Sequence, residues 1–321
     1  MSIKNAASQR GKGVLFASAT AVLWGSLAIA LKVSSGFLDA YTIVWSRFFV
    51  AFTILFFYLY FTRPKVLAYL IRPSLLNIMS GLCLGLNYIG YTKGVELTTA
   101  SNTQILIQVG PLILMLIGIF VFKEIFSRLQ ALGMLIATAG FLLFYQDQIS
   151  VFISDSERYN VGIIWTLIAA ISWASFASIQ KVLVAKHSVN GLYLVVFVIP
   201  IILLLPAANF SLLYHLSLVQ KIVIVYLGIN TLVAYGCLGK ALQYLEASKT
   251  SIIITLNPLL TLFLMSILSK LELTWINPEI INTKGYWGAF FVIMGAILVV
   301  YQKPKRNEGL SPQKQTKAAT S

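Results

Sequence analysis

Several polar side chains of this sequence lie within long apolar stretches. Gln104 and Gln108 are one helical turn apart and share a helix face, which Pro111 also joins three residues further on. The same spacing recurs in the second half of the chain, in Ser251, Thr255 and Pro258. Polar groups are rare inside membrane helices and often line a solute pathway, so they are candidates for contacting a substrate. Hydrogen bonding between helices is an equally good interpretation for the two glutamines.

The two prolines are candidate hinges. A proline inside a helix removes one backbone hydrogen bond, which leaves carbonyl groups free to bind a ligand or lets the helix bend. We expect Pro111 and Pro258 to act as hinges or kinks rather than to contact a ligand directly.

Aromatic side chains form a second group of candidates. Trp24 and Trp173 lie near the middle of apolar stretches, although tryptophans of membrane proteins prefer the headgroup region. Their depth favours a cavity wall or a packed core, and packing is the safer interpretation for each residue alone. An aromatic wall would suit a substrate with an apolar or cationic part. Two further pairs occur in the third and eighth apolar stretches: Asn87 with Tyr88, and Asn230 with Tyr235.

Arg47 is the charged residue that lies deepest in an apolar stretch. Its side chain could extend to the membrane surface, or its guanidinium could bind a substrate carboxylate or phosphate. The matching position in the second half is the apolar Val196, so this charge is not duplicated. The complete set of candidate substrate-binding residues is Trp24, Arg47, Asn87, Tyr88, Gln104, Gln108, Trp173, Asn230, Tyr235, Thr255 and Asn257.

The sequence offers no chemistry for catalysis inside a membrane. All ten carboxylates and both histidines fall in predicted loops or at helix ends, so no proton relay crosses the midplane. We find no phosphate-binding loop, no nucleophile–base pair and no metal-ligand spacing. We therefore expect no catalytic residue, no metal and no cofactor.

Composition indicates the fold class. Of the 321 residues, 58% are hydrophobic and 11% are charged, whereas soluble domains carry about 25% charged residues. The apolar runs are continuous, which favours helices over the alternating strands of a barrel. We predict an all-α integral membrane protein with ten transmembrane helices, at about 13–33, 41–61, 74–92, 101–122, 128–146, 161–181, 191–209, 219–239, 248–269 and 285–302.

An internal duplication relates the two halves of the chain. Residues 13–33 align without gaps with residues 162–182, and a tryptophan and a lysine recur at matching positions. Each half has an odd number of spans, so the halves must enter the membrane from opposite sides. We therefore predict two inverted five-helix repeats with a cavity between them, lined by the first, third, fourth, sixth, eighth and ninth spans. The expected divisions are an N-terminal segment 1–12, a first repeat 13–146, an outer linker 147–160, a second repeat 161–302 and a basic tail 303–321.

The distribution of charge predicts the orientation. The net charge is +14, and lysines and arginines concentrate on one side of each predicted crossing. This places both termini in the cytoplasm. The positive charge is then a topology signal, and we expect no nucleic-acid partner. The long apolar run after Gly13 is followed directly by further spans, which is not typical of a cleavable signal peptide.

Short motifs occur at similar places in both halves. The first half has Leu23-Trp24-Gly25-Ser26, Lys32, Arg47, Ala100-Ser101, Pro111 and Glu124, and the second has Trp173-Ala174-Ser175, Lys181, Ala247-Ser248, Asn257-Pro258 and Glu272. In combination they resemble the EamA-type transporters of the drug/metabolite transporter superfamily, over about 290 residues. The resemblance implies ten helices in two inverted repeats. It also implies a multi-pass protein of the bacterial inner membrane that exports amino acids, metabolites or drugs.

The leading hypothesis is a secondary transporter, an exporter or exchanger of small metabolites such as amino acids and related compounds, working by alternating access. One alternative is an antiporter of organic anions or phosphorylated metabolites that uses Arg47, Lys93 and Lys240. A non-transporting membrane scaffold and an intramembrane enzyme are the alternatives from other classes. Gly81 and Gly85 are spaced for close helix packing, which could support a homodimer. The expected partners are thus a small-molecule substrate and the lipid bilayer.

Overall fold

The described part of the chain is helical, as the apolar runs predict. The structure is a computed structural model, and it describes residues 3–98, 103–104, 106–124, 127–144, 146, 157–269 and 283–300, in which no strand occurs. The helices are α1 (Ile3–Ser34), α2 (Ala40–Thr62), α3 (Ala68–Ile71), α4 (Leu75–Leu97), α5 (Val109–Phe120), α6 (Arg128–Phe144), α7 (Glu157–Leu183), α8 (Val189–Leu204), α9 (Phe210–Tyr214), α10 (Leu218–Tyr244), α11 (Ala247–Ile254), α12 (Asn257–Ser269) and α13 (Thr283–Val300). A short 3-10 helix, Pro64–Leu67, precedes α3.

Polar side chains define where several helices begin. An oxygen of each capping side chain accepts a hydrogen bond from a backbone N–H in the first turn, which would otherwise lack a partner. At α10 the cap is reciprocal, because Gln220 also accepts from the backbone N–H of Ser217. The capping residues are Asp39, Ser74, Ser188, Asn209 and Ser217.

Four helices of the described part are long and apolar enough to cross a membrane: Gln9–Leu31, Ala40–Thr62, Tyr159–Leu183 and Leu218–Tyr244. A fifth span results if Pro64–Ile71 and Leu75–Leu97, which meet at an angle of 84°, are counted as one. Further apolar helices are shorter than a full crossing. The chain is therefore a multi-pass membrane protein.

Two of the predicted spans are interrupted. In the stretch 101–122, a turn at Ile107 and Gln108 precedes α5, and in the stretch 248–269 a turn at Thr255 and Leu256 separates α11 from α12. A proline cannot donate to the carbonyl four residues earlier, and its ring clashes with that carbonyl. The residue four positions before Pro111 is Ile107, which lies in the turn before α5. The residue four positions before Pro258 is Ile254, which directly precedes the turn between α11 and α12.

The helices of the two halves pack against each other reciprocally. α1 packs chiefly against α10, and α7 packs chiefly against α4, so the first helix of each half contacts the third predicted span of the other. An asparagine joins each pair: Asn87 Nδ2 donates to the Ala169 carbonyl at 2.9 Å, and Asn230 Nδ2 donates to the Leu23 carbonyl at 2.8 Å. α6 and α13 form a third pair between the halves.

The glycines that suggested a dimer are used within the chain. A Cβ at Gly81 would lie 2.9 Å from Ile199 Cβ, and a Cβ at Gly85 would lie 3.3 Å from Pro200 Cγ. Both neighbours belong to α8, so α4 and α8 approach closely along this face. A homodimer stays a prediction.

Most of the predicted linker and tail falls outside the described residues. The linker 147–160 is described from Glu157, where α7 begins, and the tail 303–321 is not described. The N-terminal segment 1–12 is described from Ile3, where α1 begins, so this helix extends beyond the predicted span.

Candidate functional site: a cavity between the two halves

Residues from both halves line a cavity in the described part of the chain. Its open space, counted together with the mouth, is about 620 Å³. The sequence did not predict that the second span would line a central cavity, but Arg47 of α2 lies in the wall. The lining residues are Trp24, Leu27, Arg47, Asn87, Tyr88, Tyr91, Gln104, Ile107, Gln108, Pro111, Trp173, Tyr235, Ile254 and Asn257.

One wall of the cavity is aromatic. The rings of Trp24 and Trp173 meet edge to face with centroids 5.8 Å apart, and Tyr235 lies 5.4 Å from Trp24. Tyr88 continues the row at 5.9 Å from Tyr235. These distances and tilts are typical of favourable aromatic pairs. The row joins the halves, because Trp24 and Tyr88 come from the first and Trp173 and Tyr235 from the second.

Amide side chains form a polar wall. Gln108 Nε2 donates to Asn257 Oδ1 at 3.2 Å, which links the turn before α5 to the start of α12. The buried Oε1 of Gln108 has no partner among the described residues. Gln104 is also buried and lines the cavity one turn earlier. An unpaired buried carbonyl oxygen is costly unless a ligand or water donates to it.

Arg47 supplies the positive charge of the cavity wall. Its side chain is 2% exposed, and its Nε donates to Thr231 Oγ1 at 3.3 Å. The guanidinium carbon lies 4.4 Å from the centre of the Tyr88 ring, which is a cation–π contact. The buried Nη2 has no partner among the described residues. The side chain therefore does not extend to the membrane surface.

The cavity brings together most of the residues singled out from the sequence. Nine of the eleven substrate-binding candidates line it, together with the predicted hinge Pro111: Trp24, Arg47, Asn87, Tyr88, Gln104, Gln108, Trp173, Tyr235 and Asn257. Their roles in binding stay predictions.

Three candidates lie elsewhere. Asn230 bonds to the Leu23 carbonyl, as α10 packs on α1, and Thr255 Oγ1 donates to the Ile252 carbonyl of its own turn at 2.7 Å. Ser251 Oγ donates to the Pro111 carbonyl. The hydroxyl groups of Ser251 and Thr255, which share a helix face, therefore both bond to backbone carbonyls. Pro258 follows the break in the ninth stretch without lining the cavity.

Four lining residues were missed by the sequence reasoning: Leu27, Tyr91, Ile107 and Ile254. Tyr91 carried a usable signal, because it lies three residues after Tyr88 and shares its helix face. Ile107 and Ile254 lie four residues before the two prolines, where each helix is interrupted. Apolar side chains in an apolar stretch give no comparable signal, so only the packing identifies them.

A second feature of the site is a clamp at one end of the cavity helices, formed by Glu124 and Lys181 around the connection 242–248. Glu124 accepts hydrogen bonds from the backbone N–H of Ala247 at 2.6 Å, the N–H of Ser248 at 2.9 Å and the Ser248 hydroxyl at 2.6 Å. Lys181 Nζ donates to the carbonyls of Leu242 at 2.8 Å and Leu245 at 2.6 Å. An anion at the start of α11 and a cation at the end of α10 both suit the helix dipoles.

The backbone before Glu124 is strained. Lys123 has a φ of 54°, a left-handed conformation that costs a non-glycine residue about 1–2 kcal/mol. The Glu124 backbone N–H then donates to the Gly118 carbonyl at 3.0 Å, which turns the chain back over the end of α5. This turn brings the Glu124 carboxylate, which belongs to the first half, to the start of α11 in the second half.

An ion pair lies beside the clamp. Lys249 Nζ donates to Glu246 Oε1 at 2.7 Å. Partial burial opposes the ionisation of Glu246, but the hydrogen bond from Lys249, a backbone hydrogen bond and the charges of Lys249 and Lys181 outweigh it. The pKa of Glu246 is therefore below its ordinary value. The carboxylate is ionised at neutral pH, and its contribution to stability is lost as the pH falls through this lowered pKa.

Removing the cation of the clamp is expected to destabilise the protein. Lys181→Met leaves two terminal carbonyls of α10 without their donor, which should lower the free energy of unfolding by about 1–3 kcal/mol. Thermal unfolding of the purified protein in detergent measures the loss. Lys240→Met is the matched control, since Lys240 bonds to the exposed side chain of Gln243. Equal melting temperatures for the two variants would contradict the role given to Lys181.

Comparisons with known proteins agree with this architecture. The chain matches the EamA-like transporter family over residues 11–146 and 160–301. It is 31% identical over 292 residues to the uncharacterized inner membrane transporter YhbE of Escherichia coli strain K12, covering 90% of this chain and 91% of YhbE. It is 30% identical over 288 residues to an uncharacterized transporter of Haemophilus influenzae, covering 89% of this chain and 94% of that one.

A solved protein shares the fold. A crystal structure with 15% sequence identity superimposes with a TM-score of 0.73, covering 90% of this chain and 97% of the other. The identified relatives are named as transporters, one of them of the inner membrane. The family match covers both halves of the chain and confirms the resemblance seen in the short motifs. This protein is a member of the EamA-like transporter family.

Proposed function

We propose that this protein is an alternating-access carrier of small metabolites, with the central cavity as its substrate site. Its ten spans form two inverted five-helix repeats, and both termini lie in the cytoplasm. The observation that carries the proposal is the cavity, because both halves line it and two interrupted helices meet there. Sites of this kind are typical of carriers with inverted repeats.

The reciprocal packing supports a twofold relation between the two halves. The α1–α10 and α7–α4 pairs exchange the roles of the two halves, as a twofold axis of either orientation would require. The inverted orientation follows from the odd number of spans that we propose for each half. The breaks before Pro111 and Pro258 fall at matching places in the two halves. A rocking of one half against the other about these breaks would expose the cavity alternately to each side.

The substrate class that we propose is amino acids and related compounds, exported or exchanged across the inner membrane. The amide wall can orient a polar head group, while the faces of Trp24 and Trp173 cover an apolar part. None of the described lining residues is an aspartate or glutamate. We therefore expect facilitated diffusion or exchange, or proton coupling through the substrate itself.

Transport by purified protein tests the carrier. Proteoliposomes are assayed for uptake of radiolabelled amino acids, with and without an imposed pH gradient. Trp173→Ala should reduce the rate at least about tenfold, because an aromatic pair and a large buried contact in the cavity are lost. Trp287→Ala is the control, since Trp287 is 58% exposed on α13.

Two results would oppose parts of the proposal. Equal transport by the Trp173→Ala variant and wild type would remove the cavity as the site. Strong uphill, proton-driven uptake of a neutral substrate would contradict the uncoupled mechanism.

Labelling separates a carrier from a scaffold. In a variant with Cys83 and Cys237 replaced, a single cysteine at Gln104 or Asn257 should react with a water-soluble maleimide, and substrate should slow the reaction. A scaffold with a dry interior would leave both cysteines unreactive.

A further inference from the structure

The charge of Arg47 has no ion-pair partner in the part of the chain that the structure describes. Ion pairs among the described residues join Lys93 to Glu96 and Lys249 to Glu246, and neither includes Arg47. Its contacts are one neutral hydroxyl, Thr231 Oγ1, and the face of Tyr88. The buried Nη2 finds no acceptor among the residues whose positions are described. Arg47 thus presents a donor with an unused hydrogen on the wall of the cavity.

A buried guanidinium without an anionic partner destabilises the folded protein when no ligand is bound. A guanidinium remains charged when it is buried, and removing an ion from water opposes folding unless a partner inside the protein compensates for the lost hydration. The cation–π contact with the Tyr88 face offsets part of that cost. A planar oxyanion would offset much more of it, because it can accept two parallel hydrogen bonds from the guanidinium.

The rest of the lining limits the charge of that anion. Arg47 is the one lysine or arginine among the lining residues, and no histidine lines the cavity either. A single positive charge balances one carboxylate, whereas a phosphate monoester would bring close to two negative charges. The unpaired Oε1 of Gln108 adds one acceptor, which fits an N–H donor on the same substrate.

We propose that the substrate of this carrier bears a single carboxylate, which the guanidinium of Arg47 binds in the cavity. The remainder of the substrate lies against Trp24 and Trp173. This inference rests on the proposed function, and it favours monocarboxylates over phosphorylated metabolites. Arg47 therefore determines specificity and has no counterpart in the second half, where Val196 occupies the matching position.

Binding to the full-length protein in detergent is the first test. The melting temperature is measured with matched pairs of a carboxylic acid and the primary amide that lacks its carboxylate charge: leucine and leucinamide, phenylalanine and phenylalaninamide, and benzoate and benzamide. We expect at least one acid to raise the melting temperature of the wild type while its amide does not. For Arg47→Gln we expect affinity for that acid to fall at least about 30-fold, and for Arg47→Lys we expect a smaller loss.

The stability of the empty protein supplies a readout that needs no ligand. If the charge is kept for a substrate, Arg47→Gln without ligand should melt at the same temperature as the wild type or higher. Lys93→Gln is the matched control, because it removes a cation that is already paired with Glu96. It should leave the binding of the acid unchanged.

The outcomes are distinct. The inference is overturned if no acid in the panel stabilises the wild type, if acids and amides bind equally, or if Arg47→Gln binds the acid as the wild type does. It is also overturned if Arg47→Gln melts far below the wild type, since the charge would then be structural. Proteoliposome flux of the same pairs separates the two proposals. Binding of an acid through Arg47 without any flux would contradict the carrier and leave Arg47 as the carboxylate-binding residue of the cavity.

Discussion

Replacing Glu124 with alanine should make the cavity of this transporter more accessible to water at the membrane face where Glu124 and Lys181 form the clamp. The variant removes an anion that accepts three hydrogen bonds from Ala247 and Ser248. These contacts join the end of α5 to the start of α11, and both helices line the cavity, through Pro111 and Ile254. The clamp therefore stabilises the conformation in which these two ends are together.

The size of the effect follows from the hydrogen bonds. Bonds to a charged acceptor contribute about 1.5–3 kcal/mol each, and bonds in one cluster are not additive. We expect a loss of about 2–4 kcal/mol, which shifts the equilibrium between the two conformations by about 30- to 700-fold. Glu124→Gln, which keeps one acceptor oxygen, should show a smaller shift.

Cysteine labelling measures the shift. The reporter is Asn257→Cys in a background with Cys83 and Cys237 replaced, and an impermeant maleimide is added to either face of oriented vesicles. Labelling from the face of the clamp, which charge predicts to be cytoplasmic, should accelerate with Glu124→Ala. Glu96→Ala is the control, because Glu96 pairs with Lys93 near the end of α4. If Glu124→Ala leaves the labelling rate from both faces unchanged, the clamp does not hold the cavity closed.

The second large effect is expected at Gly295, where α13 crosses α6. A Cβ at this position would lie 2.4 Å from the Gly133 carbonyl oxygen and 2.5 Å from the Ala137 backbone nitrogen. Both atoms are backbone, so the two helices must move apart to admit even a methyl group. These helices form the most extensive helix–helix contact of the described structure.

Gly295→Ala is therefore expected to lower the free energy of unfolding by at least about 2 kcal/mol, despite the better helix propensity of alanine. Gly236→Ala is a matched control, since a Cβ there has nothing within 4 Å. That variant should be unchanged or stabilised by up to about 1 kcal/mol. Thermal unfolding in detergent compares the two. A melting temperature for Gly295→Ala at or above that of Gly236→Ala would show that the crossing tolerates more separation than the distances indicate.

The same variant separates stability from binding. The lining residues that the structure describes include none from α6 or α13. The fraction of Gly295→Ala that remains folded should therefore bind substrate with wild-type affinity. A weakened affinity in the folded fraction would indicate that the α6–α13 contact also sets the width of the cavity.

Residues whose type conflicts with an apolar helix were predictable as cavity residues. Trp24, Trp173, Gln104 and Gln108 stood out because a bilayer interior disfavours polar groups and because tryptophans prefer its edges. The structure places all four at the cavity wall. The same reasoning failed for Asn230, since an asparagine that lines a cavity and one that bonds to a neighbouring helix have the same sequence pattern.

The clamp was not predicted from the sequence, although Glu124 and Lys181 were both noted. Glu124 bonds to residues more than a hundred positions away, and no local pattern reports such a pairing. Lys181 was expected near a helix end and could have been a simple surface anchor. Its actual partners, the carbonyls of Leu242 and Leu245, depend on how α7 packs beside the end of α10.

The sequence by itself determined that this is a helical membrane protein built from a duplicated half, and it determined which family the protein belongs to. Those properties are local or repetitive, because they follow from continuous apolar runs and from matching residues at constant spacing. Tertiary structure alone decided that Arg47 is buried with no described acid beside it, and that Glu124 binds the start of α11. Both depend on which helices become neighbours, and helix contacts in a membrane are set by shape and hydrogen bonding along whole surfaces.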